Sequence, residues 1–189
     1  MSFAVRGFLL FACAAALNAQ ATPPQERPGL EADWDIGAVL QGISEHATGM
    51  LPMLDRVNAK AWLTRGASET YLVQLQSSKD QAGALADGAK TLARHPEQLS
   101  ALLELYFRIQ GLDTMLNSLA EGLRKYQTPA EAQSLMAFAA LSGPNRDRLQ
   151  KYLVNLAAER ERDLQVMDRE AQRCRAALID PGPKSGKKR

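Results

Sequence analysis

Cysteine is nearly absent: two residues in 189 exclude a disulfide-stapled scaffold. Histidine is equally scarce, and neither copy sits in a ligand pattern. Residue 43, three before His46, is isoleucine, and residue 92, three before His95, is leucine. The Glu-x-x-His pairs that hold metal in helical bundles are therefore missing. No His-Glu-x-x-His or Cys-x-x-Cys-His occurs either, and no cofactor or metal is expected. Neither sign of charge prevails, with 23 Lys and Arg against 21 Asp and Glu, so no nucleic-acid partner is expected. No run reaches the 18 apolar residues of a membrane-spanning helix. Gly-x-Ser-x-Gly and the phosphate loop are missing as well. Ser44 and His46, two apart on a helix, diverge rather than meet. With no catalytic residue to name, a non-enzymatic role is expected.

What is present begins with an address. Arg6 precedes an uncharged apolar run over 7–17, and Asn18-Ala19-Gln20-Ala21 follows it. A basic residue, a short apolar stretch, and small Ala19 and Ala21 at the two positions a signal peptidase reads make 1–21 a secretory signal peptide, cleaved after Ala21. The expected location is periplasmic or secreted. A lipid anchor on Cys13 is the alternative, weakened by bulky Phe11 in Leu10-Phe11-Ala12-Cys13. Cleavage would leave one thiol, Cys174, between Arg173 and Arg175, whose charges favour the thiolate. Two readings stand: a small apolar residue on a helix seam, or a free or intermolecular thiol.

The stretch 22–32 opens with three prolines in seven residues and reads as an extended tether. The last ten residues, 180–189, mix Pro and Gly with Lys184, Lys187, Lys188 and Arg189 and read as a disordered basic tail. Between them, 33–179 shows helical periodicity and no period-two alternation.

Apolar and small residues at steps of three and four predict the helices. The first covers 33–65 with Ile36, Leu40, Ile43, Ala47, Met50, Leu54, Val57 and Ala61 inward, kinked at Pro52 and stopped by Gly66 in a left-handed conformation. The second covers 68–94, on Tyr71, Leu75, Ser78, Ala82, Leu85, Ala89 and Leu92. The third covers 96–126 with Pro96 in its first turn, on Leu102, Leu105, Ile109, Leu112, Leu116, Leu119, Leu123 and Tyr126. A short fourth opens on Thr128-Pro129-Ala130-Glu131, a capping box with proline in the first position. The fifth covers 145–178 with Leu149, Leu153, Leu156, Leu164, Met167, Ala171, Cys174 and Leu178 inward, and Arg160 interrupts this seam.

The expected fold is all-α: an elongated up-and-down bundle of four long helices and one short one. A tetratricopeptide-like solenoid of helical hairpins competes, because Pro96 and Pro129 are 33 residues apart. The seam passes through Gly111 without changing phase, which favours the bundle.

Functionally, the expectation is an exported interaction or scaffold module of the cell envelope. It would dock an unidentified protein, or another copy of itself, through a helix face. Arg160 is where the last helix would leave the bundle and project its charged end. Gly42 and Gly49 would admit a close neighbour, from a partner or within the bundle. A small apolar-ligand carrier is the alternative, with Met50, Pro52 and Met53 as its binding surface. An enzyme with a dispersed site comes third. The basic tail would touch anionic envelope polymers or lipid headgroups.

Overall fold

The structure is a computed structural model and describes residues 35–179. The signal, tether and tail, with Cys13, Ala19, Ala21, Trp34, Lys184, Lys187, Lys188 and Arg189, lie outside the described residues. Among those described, the elements are α1 (Ile36–Asp55), α2 (Ala59–Leu63), α3 (Thr70–Leu92), α4 (Leu99–Tyr126), α5 (Pro129–Ala140) and α6 (Gly143–Ile179). No strand occurs among them. This is the expected all-α bundle, with four long helices and short α5, plus one five-residue helix that was not foreseen.

Asp35 starts α1 by accepting the Ala38 N–H at 3.2 Å. The helix continues through Pro52, and the interruption comes at 56–58. The expected single helix over 33–65 is thus two. Pro52 is exposed and three residues from the helix end. The bond it forfeits frees the carbonyl of Thr48, which is also exposed and open to water, so the loss is small. Asn58 wins instead, because its side chain accepts the Ala61 N–H at 3.1 Å and caps a new helix. Gln127 satisfies the break from α4's far end: its Oε1 accepts from Asn58 N–H at 3.2 Å, and its Nε2 donates to the Arg56 carbonyl at 3.2 Å. The same Oε1 takes the Trp62 indole N–H at 3.2 Å. The break also shifts the phase: Trp62 is buried and Ala61 exposed, the reverse of the expected seam.

Gly66 ends α2 with φ +85°, as its position implied. Ala67 N–H reaches back to the Trp62 carbonyl at 3.1 Å and Gly66 N–H to that of Leu63 at 3.0 Å, the paired bonds of a Schellman stop. A methyl group on Gly66 would meet nothing within 4 Å, so substitution there tests backbone conformation alone. Gly66→Ala is expected to lower stability by about 1–2 kcal/mol, the price of the left-handed region for an L-residue, measured by urea denaturation.

In α3 and α4 the positions predicted inward are buried, apart from Tyr71, Leu75 and Tyr126, which are only half-buried, and Ala86, Ala120 and Gly122 are buried beside them. Pro96 is a correction: it sits in the turn at 95–98, and α4 begins at Leu99. The turn is tied down by Tyr152, whose hydroxyl donates to the Pro96 carbonyl at 3.0 Å. Thr128 caps α5, accepting Glu131 N–H at 3.3 Å while its hydroxyl donates to the Glu131 carboxylate at 2.6 Å. That bond, with one from Gln127, holds the Glu131 carboxyl below its ordinary range.

Helix α1 packs on α3, α3 on α4, and α4 on α5, while α6 returns to α1 and α4. The last contact decides the architecture, since solenoid repeats touch only their neighbours. The core centres on α4, where Leu102, Leu116, Leu119 and Leu123 are at most 2% exposed. Each such leucine contributes about 1.5–3 kcal/mol of burial. Ser78 is the buried polar side chain of this core, and its hydroxyl donates to the Gln74 carbonyl at 2.8 Å.

Helix α6 behaves differently. Leu149, Leu153 and Leu156 are buried, but every residue of 159–179 is exposed. Leu164, Met167, Ala171, Cys174 and Leu178, expected inward, all face solvent. Their seam is real, but no described helix of the chain lies against it.

Candidate functional site

Two places are candidates for function: a polar cluster inside the bundle and the exposed stretch of α6. The cluster joins His46 of α1, Asp113 of α4, and Ser142 and Arg146 at the start of α6, around a cavity of about 20 Å³. Arg146 donates to the Asp113 carboxylate at 2.9 Å, with both side chains about one-third exposed. The His46 ring stacks on Phe138 of α5, centroids 4.5 Å apart and planes 11° from parallel. Its Nε2 is buried and has no hydrogen-bond partner within the described residues.

Burial pushes the His46 pKa down, and the Asp113 charge only partly opposes it. Burial pushes the Asp113 carboxyl up, against the charge and hydrogen bond of Arg146 and the charge of His46. The imidazole is therefore neutral near pH 7.

Serine, histidine and aspartate thus meet at one cavity without the bonds of a catalytic relay. The Ser142 hydroxyl donates to the Ala139 carbonyl at 2.8 Å, and Asp113 is committed to Arg146. The cavity has the size of one water molecule, far below an organic ligand's several hundred Å³. An adjoining open groove of about 270 Å³ runs along Asp113, Asn117, Met136 and Arg146. Among the described residues no group of three His, Cys, Asp or Glu is placed to hold a metal ion.

The cluster predicts a pH response. A folded His46 with lowered pKa refuses a proton that the unfolded chain accepts, so stability falls as pH drops through the window just below 6.5. Asp113 has the opposite sign: its raised pKa lets the folded state protonate first, so its contribution grows on acidification toward 3.8. His46→Phe keeps a ring against Phe138 and should flatten the slope of denaturation midpoint against pH between about 5 and 7. An unchanged slope would mean that His46 titrates as it does in the unfolded chain.

The residues of the expected apolar surface do not come together. Met50 is 2% exposed, in the core and lining the small cavity. Pro52 faces outward, and Met53 lines a separate groove of about 110 Å³ with Arg56, Gln127 and Leu135. Gly42 and Gly49 do admit close neighbours, both from within the bundle. A Cβ on Gly42 would lie 2.6 Å from Asn145 Nδ2, and one on Gly49 would lie 3.0 Å from Phe138 Cζ.

Cys174 is free and exposed, so the buried-seam reading of it does not hold. It stands on α6 in line with Leu164, Met167, Ala171 and Leu178, at steps of three and four. Leu164 is 61% exposed, Met167 59% and Leu178 82%, forming an apolar stripe that nothing in the described chain covers. Around it Arg160 pairs with Asp163 at 3.8 Å and Arg173 with Glu170 at 3.0 Å, weak one-turn bridges that reinforce the helix.

Reading by motif missed the His46–Asp113–Arg146 cluster, because its members come from three helices. A signal was nevertheless present. His46 lies three after Ile43 and four before Met50; Asp113 lies four after Ile109 and three before Leu116; Arg146 lies three before Leu149. Each is a polar residue at seam spacing, which places it at the edge of a buried face.

Comparison with known protein families, with characterised proteins and with solved structures finds no match to this chain.

Proposed function

We propose that this chain is an exported, non-catalytic module that docks another macromolecule in the cell envelope, using the free end of α6. One observation carries the reading: over 159–179 the helix is wholly exposed yet keeps a regular apolar stripe. A helix that only needed to be soluble would be polar on every face. Export rests on the pattern of Arg6, the apolar run 7–17, Ala19 and Ala21. No helix among the described residues is long and apolar enough to cross a membrane. The tail cations Lys184, Lys187, Lys188 and Arg189 would add attraction to anionic envelope polymers or lipids.

Proximity crosslinking in the native cell tests the reading. Leu164→Gln, Met167→Gln and Leu178→Gln together remove the stripe without touching the core. The crosslinked species should disappear in this variant. Crosslinks that survive it unchanged would place docking elsewhere. Amino-terminal sequencing of the exported chain should begin at Thr22.

A further inference from the structure

The stripe on α6 is the continuation of a face already used. Leu149 and Met167, Leu153 and Ala171, and Leu156 and Cys174 are each 18 residues apart, five full helical turns. Each pair therefore points the same way. At its start this face meets α1 and α4, and beyond Glu159 it meets nothing described. A second helix lying on the exposed part must share that line without running into the bundle.

The steps assign heptad positions: Leu164, Ala171 and Leu178 at a, Met167 and Cys174 at d. Flanking them, Asp163, Glu170 and Ala177 fall at g, Asp168 and Arg175 at e. Suppose that the occupant is a second copy. In a parallel pair, Asp163 of each copy faces Asp168 of the other, a repulsion made twice that offsets the attraction of Glu170 for Arg175. The upstream part of the second α6 would also head into the space held by α1 and α4.

In an antiparallel pair with Ala171 against Cys174, the charges agree. Asp168 of each copy faces Arg175 of the other, Glu170 faces Ala177, and no like charges meet. The layers become Met167–Leu178, Ala171–Cys174 and their repeats, with small residues at the centre allowing close approach. Paired this way, Leu178 of one copy reaches only to Met167 of the other, eight residues short of where α6 leaves the bundle, so the two bodies do not collide. Asp168 and Arg175 are also the charges that complete the pairing. Neither has an ion-pair partner among the described residues, whereas Asp163 and Glu170 are already held by arginines of the same helix.

We infer, resting on the reading of α6 as the docking element, that its free end pairs antiparallel with the same segment of a second copy, Ala171 of each against Cys174 of the other. The matched stretch, 167–178, is about 18 Å long, so the interface is small and the association weak and reversible.

Sedimentation equilibrium of the full chain and disulfide trapping test it together. The Ala171→Cys variant, with native Cys174 kept, is exposed to oxidised glutathione. Each intermolecular S–S bond then forms as two thiols give up two protons and two electrons, and one glutathione disulfide is reduced to two thiols. The variant should give covalent dimer at least about tenfold faster than the native chain, whose Cys174 side chains stand a turn apart across the antiparallel pair, beyond bridging reach. Asp168→Arg should weaken sedimenting dimer about tenfold or more, and Asp168→Arg with Arg175→Asp should restore it. Fast trapping of the native chain through Cys174 alone would mean parallel pairing and overturn the proposal. So would a monomer at every concentration, or a charge swap without effect. In those cases stripe-dependent crosslinks to a different molecule would leave the docking role of α6 standing, and their absence would remove that as well.

Discussion

Replacing Trp62 by alanine should lower the unfolding free energy by about 3–5 kcal/mol, the largest loss of any single truncation considered. The side chain is 1% exposed and packs against Tyr71, with centroids 5.4 Å apart and planes nearly perpendicular, and against Tyr126 at 6.0 Å. It comes from a five-residue helix too short to be stable alone, so tertiary contact is what keeps α2 folded. Gly122 of α4 lies directly beneath the indole. A Cβ there would stand 2.5 Å from Trp62 Cζ3 and 2.9 Å from Tyr71 Cε1.

That contact gives the prediction a second, sharper form. In the native chain Gly122→Ala should destabilise by about 1–3 kcal/mol, because a ring held by two tyrosines cannot move aside. In the Trp62→Ala background the same change should be neutral or stabilise by up to about 1 kcal/mol, since alanine is the better helix former and the space is open. Urea denaturation of the four proteins, followed by far-ultraviolet circular dichroism, reads both values. An equal cost in both backgrounds would show that the indole is not what requires the glycine.

The second large effect concerns Arg146. Removing one partner of a buried ion pair costs about 3–5 kcal/mol, and exposure of both side chains by about a third brings the expectation for Arg146→Met down to about 2 kcal/mol at pH 7. The loss arises in Asp113, left half-buried without its cation. Burial already raises its pKa, and without Arg146 the pKa rises further. A carboxyl of raised pKa is protonated first in the folded state, so the deficit of the variant should shrink as pH falls toward 4. Asp113→Asn in the Arg146→Met background should recover most of the stability at pH 7. A deficit that is the same at pH 7 and pH 4 would assign the loss to the methylenes of Arg146 and not to the charge it neutralises.

Most of the helices were legible from spacing alone, and for a clear reason. A helix buried on one side must repeat its apolar residues every three or four, and the leucines of α4, with Ile109, do so without a gap from Leu102 to Leu123. Spacing could not say what covers a seam, and α6 shows the consequence. Leu149 and Met167 carry the same periodic signal, yet one is buried by the bundle and the other is 59% exposed. Arg160, standing on that seam, was the available sign of the change.

The break at 56–58 was hard to see because the groups it frees are satisfied from 69 to 71 residues away, by the side chain of Gln127. Proline was the louder signal, yet α1 continues past it to Asp55 and the new helix starts at the Asn58 cap. The site residues were partly legible. Cys174, which spacing placed inward on the seam with a free thiol as the other reading, is exposed, while Met50, Pro52 and Met53, neighbours in sequence, are separated by the turn of the helix. His46, Asp113 and Arg146 were visible only as polar residues at seam spacing, without any hint that three helices bring them to one cavity.

The exposed end of α6 has a further consequence for how its occupancy is seen. From Glu159 outward each backbone amide is protected only by its own helix, and the helix there is propagated from a nucleus already folded in the bundle. Deuterium uptake should therefore rise steadily from Leu156 to Ile179 in the isolated chain, as fraying deepens toward the end. Any molecule seated on the stripe would stop the fraying, and the gradient would collapse into a step. The segment thus carries its own label-free gauge of binding, readable amide by amide before the identity of the bound molecule is known.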